Sequence, residues 1–586
     1  MSSSRPIFFR LSLLLPIAML LPLLAFAQTP TVKTGRKPLG MANEGGEKLW
    51  GLWMMGQSLC DGSESLPIVT SVDTGWGNWS FARGVRTWIG GSHSADPEGR
   101  DASQFELAPL KAAVNGGLGE TMANGLADHL KSTLIEPSDV KNEAPHFLVA
   151  YAGQGGRMID ELSLVDQSTD ARTPAVKKGG GGYYRTSLDD ARRATQQAKA
   201  QGKTFAIAAL VWMQGEANGG PTGGINPSRW DAELPRPKGQ EWYRDRLIAY
   251  RKQWSRDLLE ITGQKEIPLF TYQTLGPAGE GQVMAADADP NIYMVGPHYM
   301  VPSAVNGRRE GNYGAAIHLS ADGERWYGEQ VAKVAHRVLE KGEAWQPLRP
   351  RKAVIDAART SVLVTFMVPR PPLVLDESFL PLQQQVEASG GYSSLDGFQL
   401  RNEKGGTPTI KAVEVEPPNR LRIRLVSALP AGAGYSLTYG SPRAGQIGAI
   451  SAVRSGPVMA KQSTTELLIP GDIRSKLKLL MDEGAFYVAN TLGGEKYAQT
   501  VIRHVGEENG STVLRFEERE LRNHVPFAVG QALMVMRPFQ YGNLHDSDPE
   551  PALYAFADPG YGRRAGQKYP LWNWSILYSG FPVSDK

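Results

Sequence analysis

The chain has 586 residues, of which 63 are Lys or Arg and 60 are Asp or Glu, leaving a formal charge of +3. That length exceeds a single core and implies two to four domains. Such an even balance gives no support for nucleic-acid binding or for attraction to an anionic membrane.

Taken in chain order, Arg5 and Arg10 precede the apolar run LSLLLPIAMLLPLLAFA, and Ala25-Phe26-Ala27 forms a small-x-small site before Gln28. Residues 1–27 therefore read as a signal peptide, with export to periplasm or medium and no membrane attachment after cleavage. The run is also short for a membrane anchor and holds two prolines. The one cysteine, Cys60, excludes an intrachain disulfide and reads as a small buried packing residue.

From about 47 to 345, apolar strand patterns alternate with helical ones. The strands are LWGLWMM (49–55), HFLVAYA (146–152), TFAIAALVWM (204–213), IPLFTYQ (267–273) and IYMVG (292–296). Amphipathic helices are predicted over 118–134, 187–202, 239–263 and 322–342, the second opening on Ser187 and Asp190 as a capping box. This alternation predicts an α/β domain with a parallel sheet covered on both faces, and ligands at the carboxyl ends of its strands. At 346–353 the helical period stops. Runs such as SVLVTFMV (361–368), TIKAVEVE (409–416), LRIRLV (421–426) and YSLTYG (435–440) read as an antiparallel β-sandwich, and 456–540 as a further small, mostly β unit.

Four fragments carry chemistry. In GQSLCDG (56–62), Ser58 follows a strand end, where an exposed hydroxyl can act as a nucleophile once a base takes its proton. In GQGGR (153–157), Gly155 and Gly156 let backbone N–H groups approach an oxyanion. In VWMQGE (211–216), Gln214 can donate an amide N–H and Glu216 can orient an imidazole, both on one strand face. In IHLSADG (317–323), His318 precedes a helix start with Ser320 as N-cap and suits a general base, with His298 as the nearest rival. Neither HExxH nor a clustered His/Cys spacing occurs, so neither a metal nor a cofactor is implied.

Together, in this order and spacing, the four fragments resemble the blocks of SGNH/GDSL hydrolases. Gly-Gln-Ser with W-x-Q-G-E resembles the branch of sialate O-acetylesterase-like and plant-polysaccharide acetylesterases. A downstream β region with PPLVLD (371–376), YGNLHDSD (541–548) and YPLWNW (569–574) resembles carbohydrate esterase family 20, which includes acetylesterases acting on xyloglucan. The resemblance implies a three-layer α/β/α domain over 47–345. It also implies a discontinuous β-sandwich over 350–455 and 541–586, interrupted by an accessory module at 456–540. By the same resemblance, Ser58 is the nucleophile and His318 the base, and the oxyanion hole consists of the Ser58 and Gly156 N–H groups plus the Gln214 side chain. The substrate implied is an acetylated polysaccharide or oligosaccharide. Sialate and acetylxylan remain alternatives, as do a lipase or thioesterase and a non-catalytic polysaccharide-binding protein. Trp76, Trp79, Trp212 and Trp230 are candidate sugar platforms.

One position departs from the blocks. Three residues before His318, where Asp is usual, stands Ala315. Glu216 is the leading substitute for the missing acid; Asp231, Asp287 and Asp289 are the others, and a bare Ser–His dyad is a further possibility.

Overall fold

A computed structural model describes the chain from residue 33 to residue 585, apart from residues 43–46, 88–100, 136–144, 165–181, 220–229, 232–235, 238, 277, 303–317, 377–385, 388–392, 441–443, 460–461, 475–486, 491–498, 502–503, 518–526, 537–541 and 558–564. The predicted signal peptide and Ala315 lie outside the described residues.

The N-terminal half is built on a seven-stranded sheet. Its strands are β1 (Lys48–Gly56), β2 (Trp79–Phe81), β3 (Leu107–Pro109), β4 (His146–Gly153), β5 (Thr204–Met213), β6 (Leu269–Gln273) and β7 (Ile292–Pro297), in the order β3-β2-β4-β1-β5-β6-β7. All neighbours are parallel except β2 and β3, which are antiparallel, so the sheet is mixed rather than purely parallel. β2 and β3 are too short, at three residues each, to leave a hydrophobic period in the sequence.

The long strands are apolar on both sides because both faces are covered. Leu52, Met54, Val149 and Tyr151 join one core with Leu126 and Leu130 of α1 (Ala123–Ser132). Trp53, Met55, Ala150 and Trp212 join the other with Tyr184 and Leu188 of α2 (Gly182–Ala200) and Trp242 and Trp254 of α3 (Gln240–Thr262). α4 (Ala278–Ala288) packs on that second face, and α5 (Ala321–Ala335) on the first, against α1. The second helix starts before the expected capping box. Ser187 lies inside α2, buried, with its carbonyl accepting Trp53 Nε1 at 3.0 Å.

A second, sheet-rich region follows. Its seven-stranded sheet runs Phe398–Asn402, Tyr435–Tyr439, Tyr578–Asp585, Arg349–Ile355, Ser361–Met367, Arg420–Leu425, Ile410–Glu416. The C-terminal strand lies inside it, antiparallel to Tyr435–Tyr439 and parallel to Arg349–Ile355. The PPLVLD and LHDSD segments pair with each other, Leu373–Leu375 against Leu544–Asp546. Strands between Ala444 and Met536 form two four-stranded sheets of their own.

The two halves are joined through α5. Lys333 is fully buried. Its Nζ lies 3.2 Å from Asp548, donates to Asn573 Oδ1 at 2.7 Å, and also meets Leu571 O. Arg337 adds Asp548 at 2.8 Å and Glu550 at 3.2 Å. A buried cation is tolerated only when paired and hydrogen-bonded, and here every partner comes from beyond residue 540.

Candidate active site

The carboxyl ends of β1, β4 and β5 come together: Gly56 is in register with Gly153 and with Met213. A Cβ at Gly56 would sit 2.1 Å from Met213 O, so only glycine lets the strands meet there. Gln57 then turns the chain. Its N–H bonds Met213 O, and its carbonyl accepts from Cys60 N and Asp61 N. Its side-chain Oε1 accepts from Gly215 N at 3.3 Å, Ala217 N at 3.1 Å and Gln214 Nε2 at 3.2 Å. Ser58 thus opens a single helical turn, Ser58–Asp61, at 8% exposure. Among the described residues its hydroxyl has no hydrogen-bond partner, His318 included. Cys60, behind it, is fully buried, and burial pushes its thiol up, away from thiolate.

The chain leaves this turn through Gly62, whose φ of +75° and 2.0 Å gap from a would-be Cβ to Glu120 O both require glycine. Two residues on, Glu64 takes φ +63°, an uncommon conformation for a non-glycine residue and one found at functional sites. Its N–H is held by Gly117 O at 2.8 Å. This conformation brings Glu64 Oε2 to 3.0 Å from His318 Nδ1. Beside it, Ser65 Oγ donates to Leu319 O at 2.7 Å. Ser320 caps α5, accepting from Gly323 N at 3.1 Å. The histidine is thereby stitched to the segment that carries Ser58.

Among the described residues, the carboxylate within hydrogen-bond reach of His318 is Glu64, which is not one of the sequence candidates. Glu216 makes its hydrogen bonds to other groups, accepting from Tyr272 Oη at 2.5 and 2.6 Å and from Thr274 Oγ1 at 2.6 Å, while the charge of His318 still acts on it. Burial pushes its carboxyl up, partly offset by Thr274 and Tyr272. Asp287 pairs with Arg349 at 2.6 Å, and Asp289 with Arg251 at 3.0 Å. Both immediately precede β7, at the opposite end of the sheet from Ser58. Asp231 lies in a two-residue strand, Trp230–Asp231, and the side chains of that pair lie outside the described residues. The rival His298 sits with Nε2 3.9 Å from Glu216 Oε1, and burial pushes it down to about 3, so it is neutral.

Gly155 packs on Ser58, a Cβ there falling 3.3 Å from Ser58 Cβ. Its N–H is spent on Asp61 Oδ2 at 2.9 Å. Gly156, at φ +73°, and Ser58 keep backbone N–H groups with no acceptor among the described residues. Gln214 does not fit the donor role expected of it. It is fully buried, and its amide nitrogen is engaged by Gln57 Oε1, Arg157 O at 3.0 Å and Asn218 Oδ1 at 2.7 Å. Tyr243 Oη donates to its Oε1 at 2.7 Å, which fixes the amide's orientation. Gln214 is a strut. The donor left over in this network is Asn218, which no motif in the sequence marks out. Its Oδ1 accepts Ile159 N at 3.0 Å, and its buried Nδ2 has no partner among the described residues.

Trp76, Trp79 and Trp212, the candidate tryptophans whose side chains are described, are not gathered at the Ser58 end of the sheet. Trp212 is fully buried, against Tyr250 at 4.6 Å and with Nε1 on Tyr243 Oη at 3.2 Å. Trp76 is 7% exposed, in a loop clamped to α1: Asp128 accepts from Thr74 and Asn78, and Lys131 donates to Trp76 O. Trp79 is in register with Leu148, five residues before Gly153, or about 16 Å from the strand end. For Trp230 only the backbone is described.

No protein-family model matches the sequence, and no curated protein matches it. Solved structures with some likeness include a carbohydrate acetylesterase from Xanthomonas citri, at 15% identity and a TM-score of 0.41, over 67% of this chain and 75% of the other. A protein from Arabidopsis thaliana aligns at 15% identity and a TM-score of 0.31, over 50% of this chain and 99% of its own. NanS aligns at 14% identity and a TM-score of 0.29, over 50% and 97%.

Proposed function

We propose that this chain is an exported carbohydrate O-acetylesterase of SGNH type that removes acetyl groups from a plant polysaccharide or oligosaccharide, xyloglucan first among them. The observation that carries the reading is the Glu64–His318 contact of 3.0 Å beside the Ser58 turn.

The chemistry follows from the parts. Ser58 Oγ attacks the acetyl carbonyl carbon while His318 Nε2 takes its proton; the Ser58–His318 bond forms once substrate is bound. Glu64 holds Nδ1 protonated and stabilises the imidazolium. The oxyanion is met by the N–H groups of Ser58 and Gly156 and by Asn218 Nδ2. His318 then protonates the departing sugar oxygen, leaving acetyl-Ser58. Water attacks the acyl carbon, gives its proton to His318, and acetate leaves as Ser58 is reprotonated.

The test is acetate release from acetylated xyloglucan, xylan, pectin and O-acetyl sialic acid by wild type and Ser58→Ala. Release from xyloglucan, lost in Ser58→Ala, is expected. Preference for xylan or sialate would move the substrate to an acetylxylan or sialate esterase. Release from none, or unchanged turnover of p-nitrophenyl acetate by Ser58→Ala, ends the assignment.

A further inference from the structure

A hollow of about 250 Å³ lies between Arg83–Arg86 and the segment 111–121. Its place is set by the sheet. Arg86 bridges Tyr151, two residues before Gly153, the partner of Gly56. The hollow therefore opens at the same sheet end as Ser58, where ligands bind in such folds.

Every charged side chain that lines it is cationic: Arg83, Arg86 and Lys111. Arg86 is fixed by three carbonyls, Asp61 O at 2.6 Å, Ala113 O at 3.1 Å and Gly119 O at 2.6 Å. Arg83 donates to the neutral Gln104 Oε1 at 2.9 Å. The carboxyls of Asp61, Glu120 and Glu324 also act on Arg86 but do not line the hollow, and burial pushes all three up, toward their neutral forms. The hollow is smaller than a typical ligand pocket of roughly 300–1,000 Å³ and has room for about one sugar ring. The segment that walls it also holds Glu64, through Gly117 O.

We infer that this hollow is a subsite for a carboxylated sugar unit, a uronate, next to the acetylated one. The inference rests on the esterase reading for the second sugar, but the uronate site itself can be tested without it. On full-length Ser58→Ala protein, D-glucuronate is expected to bind at least about tenfold more tightly than D-glucose, by calorimetry or NMR titration. Lys111→Glu, at an exposed position, is expected to abolish that preference. Equal binding of the two sugars, or a preference that survives Lys111→Glu, overturns the subsite whether or not the chain is an esterase. In the active enzyme, Lys111→Glu is expected to raise KM about tenfold for an acetylated oligosaccharide bearing a uronate branch. Turnover of p-nitrophenyl acetate and of the unbranched oligosaccharide is expected to stay within about twofold. An equal change on both oligosaccharides, or on neither, overturns the proposal.

Discussion

Glu64 Oε2 lies 3.0 Å from His318 Nδ1, although 254 residues separate them in the chain. The contact is made by a backbone in the left-handed region and by a second bond between the same two segments, Ser65 to Leu319.

The pair sets the first prediction. Glu64→Gln removes the charge that stabilises the imidazolium and favours the wrong tautomer, so kcat should fall roughly 10²–10⁴-fold with little change in KM. Glu216→Gln keeps an acceptor for Tyr272 and Thr274, and kcat should fall less than about tenfold. Steady-state kinetics on p-nitrophenyl acetate decides; the reverse order would return the role to Glu216.

Gln57 sets the second. Its Oε1 serves two buried backbone donors, Gly215 N and Ala217 N. Gln57→Ala leaves both unpaired, at about 1–3 kcal/mol each. Urea unfolding should show a loss of at least about 2 kcal/mol, and a variant as stable as wild type would mean the network is replaced by water.

Glu324 gives a pH dependence. It is fully buried, and neither carboxyl oxygen has a hydrogen bond among the described residues. Burial first, then Asp61 and Glu120, push its carboxyl well above the ordinary 4.5, with Arg86 opposing. A carboxyl raised in the folded state leaves stability intact below its unfolded value and lowers it as pH rises through the folded one. Asp61, pushed up to about 6 from 3.8, acts with the same sign. Glu324→Gln should match wild type near pH 4.5 and gain on it progressively at higher pH in denaturant titrations. Parallel curves for the two proteins would contradict this account.

The joint between the two halves yields an order of effects. Asp548→Ala leaves Lys333 and Arg337 buried with one fewer anion, a change that costs about 3–5 kcal/mol. Lys333→Met keeps Asp548 paired to Arg337 at 2.8 Å and should cost clearly less. Thermal unfolding of the two variants tests the order; Lys333→Met as the worse of the two would show that the network is not centred on Asp548.

The long elements were legible because burial on both faces writes an unbroken apolar run. TFAIAALVWM matches β5 residue for residue, and the long helix at 239–263 differs from α3 by one residue at each end. The strand ends bearing Ser58, Gly155 and Gln214 were readable for the same reason. What the sequence hides is direction. Gln214 and Asn218 are both amides near one strand end, and only the packing around Tyr243 and Ile159 decides which one has a donor to spare. Likewise, Trp212 looks the same on paper whether its ring faces sugar or, as here, Tyr250. Glu64 left no signal at all, because its reach depends on a positive φ that no local pattern dictates.

Placing the acid six residues after the nucleophile changes which parts of the gene must travel together. In this arrangement the stretch from Gly56 to Glu64 holds two of the three proposed catalytic side chains, and the histidine segment contributes only one. On the proposed assignment, residue 315 has no part in the chemistry. A homologue of this kind would be passed over by any pattern that demands Asp-x-x-His.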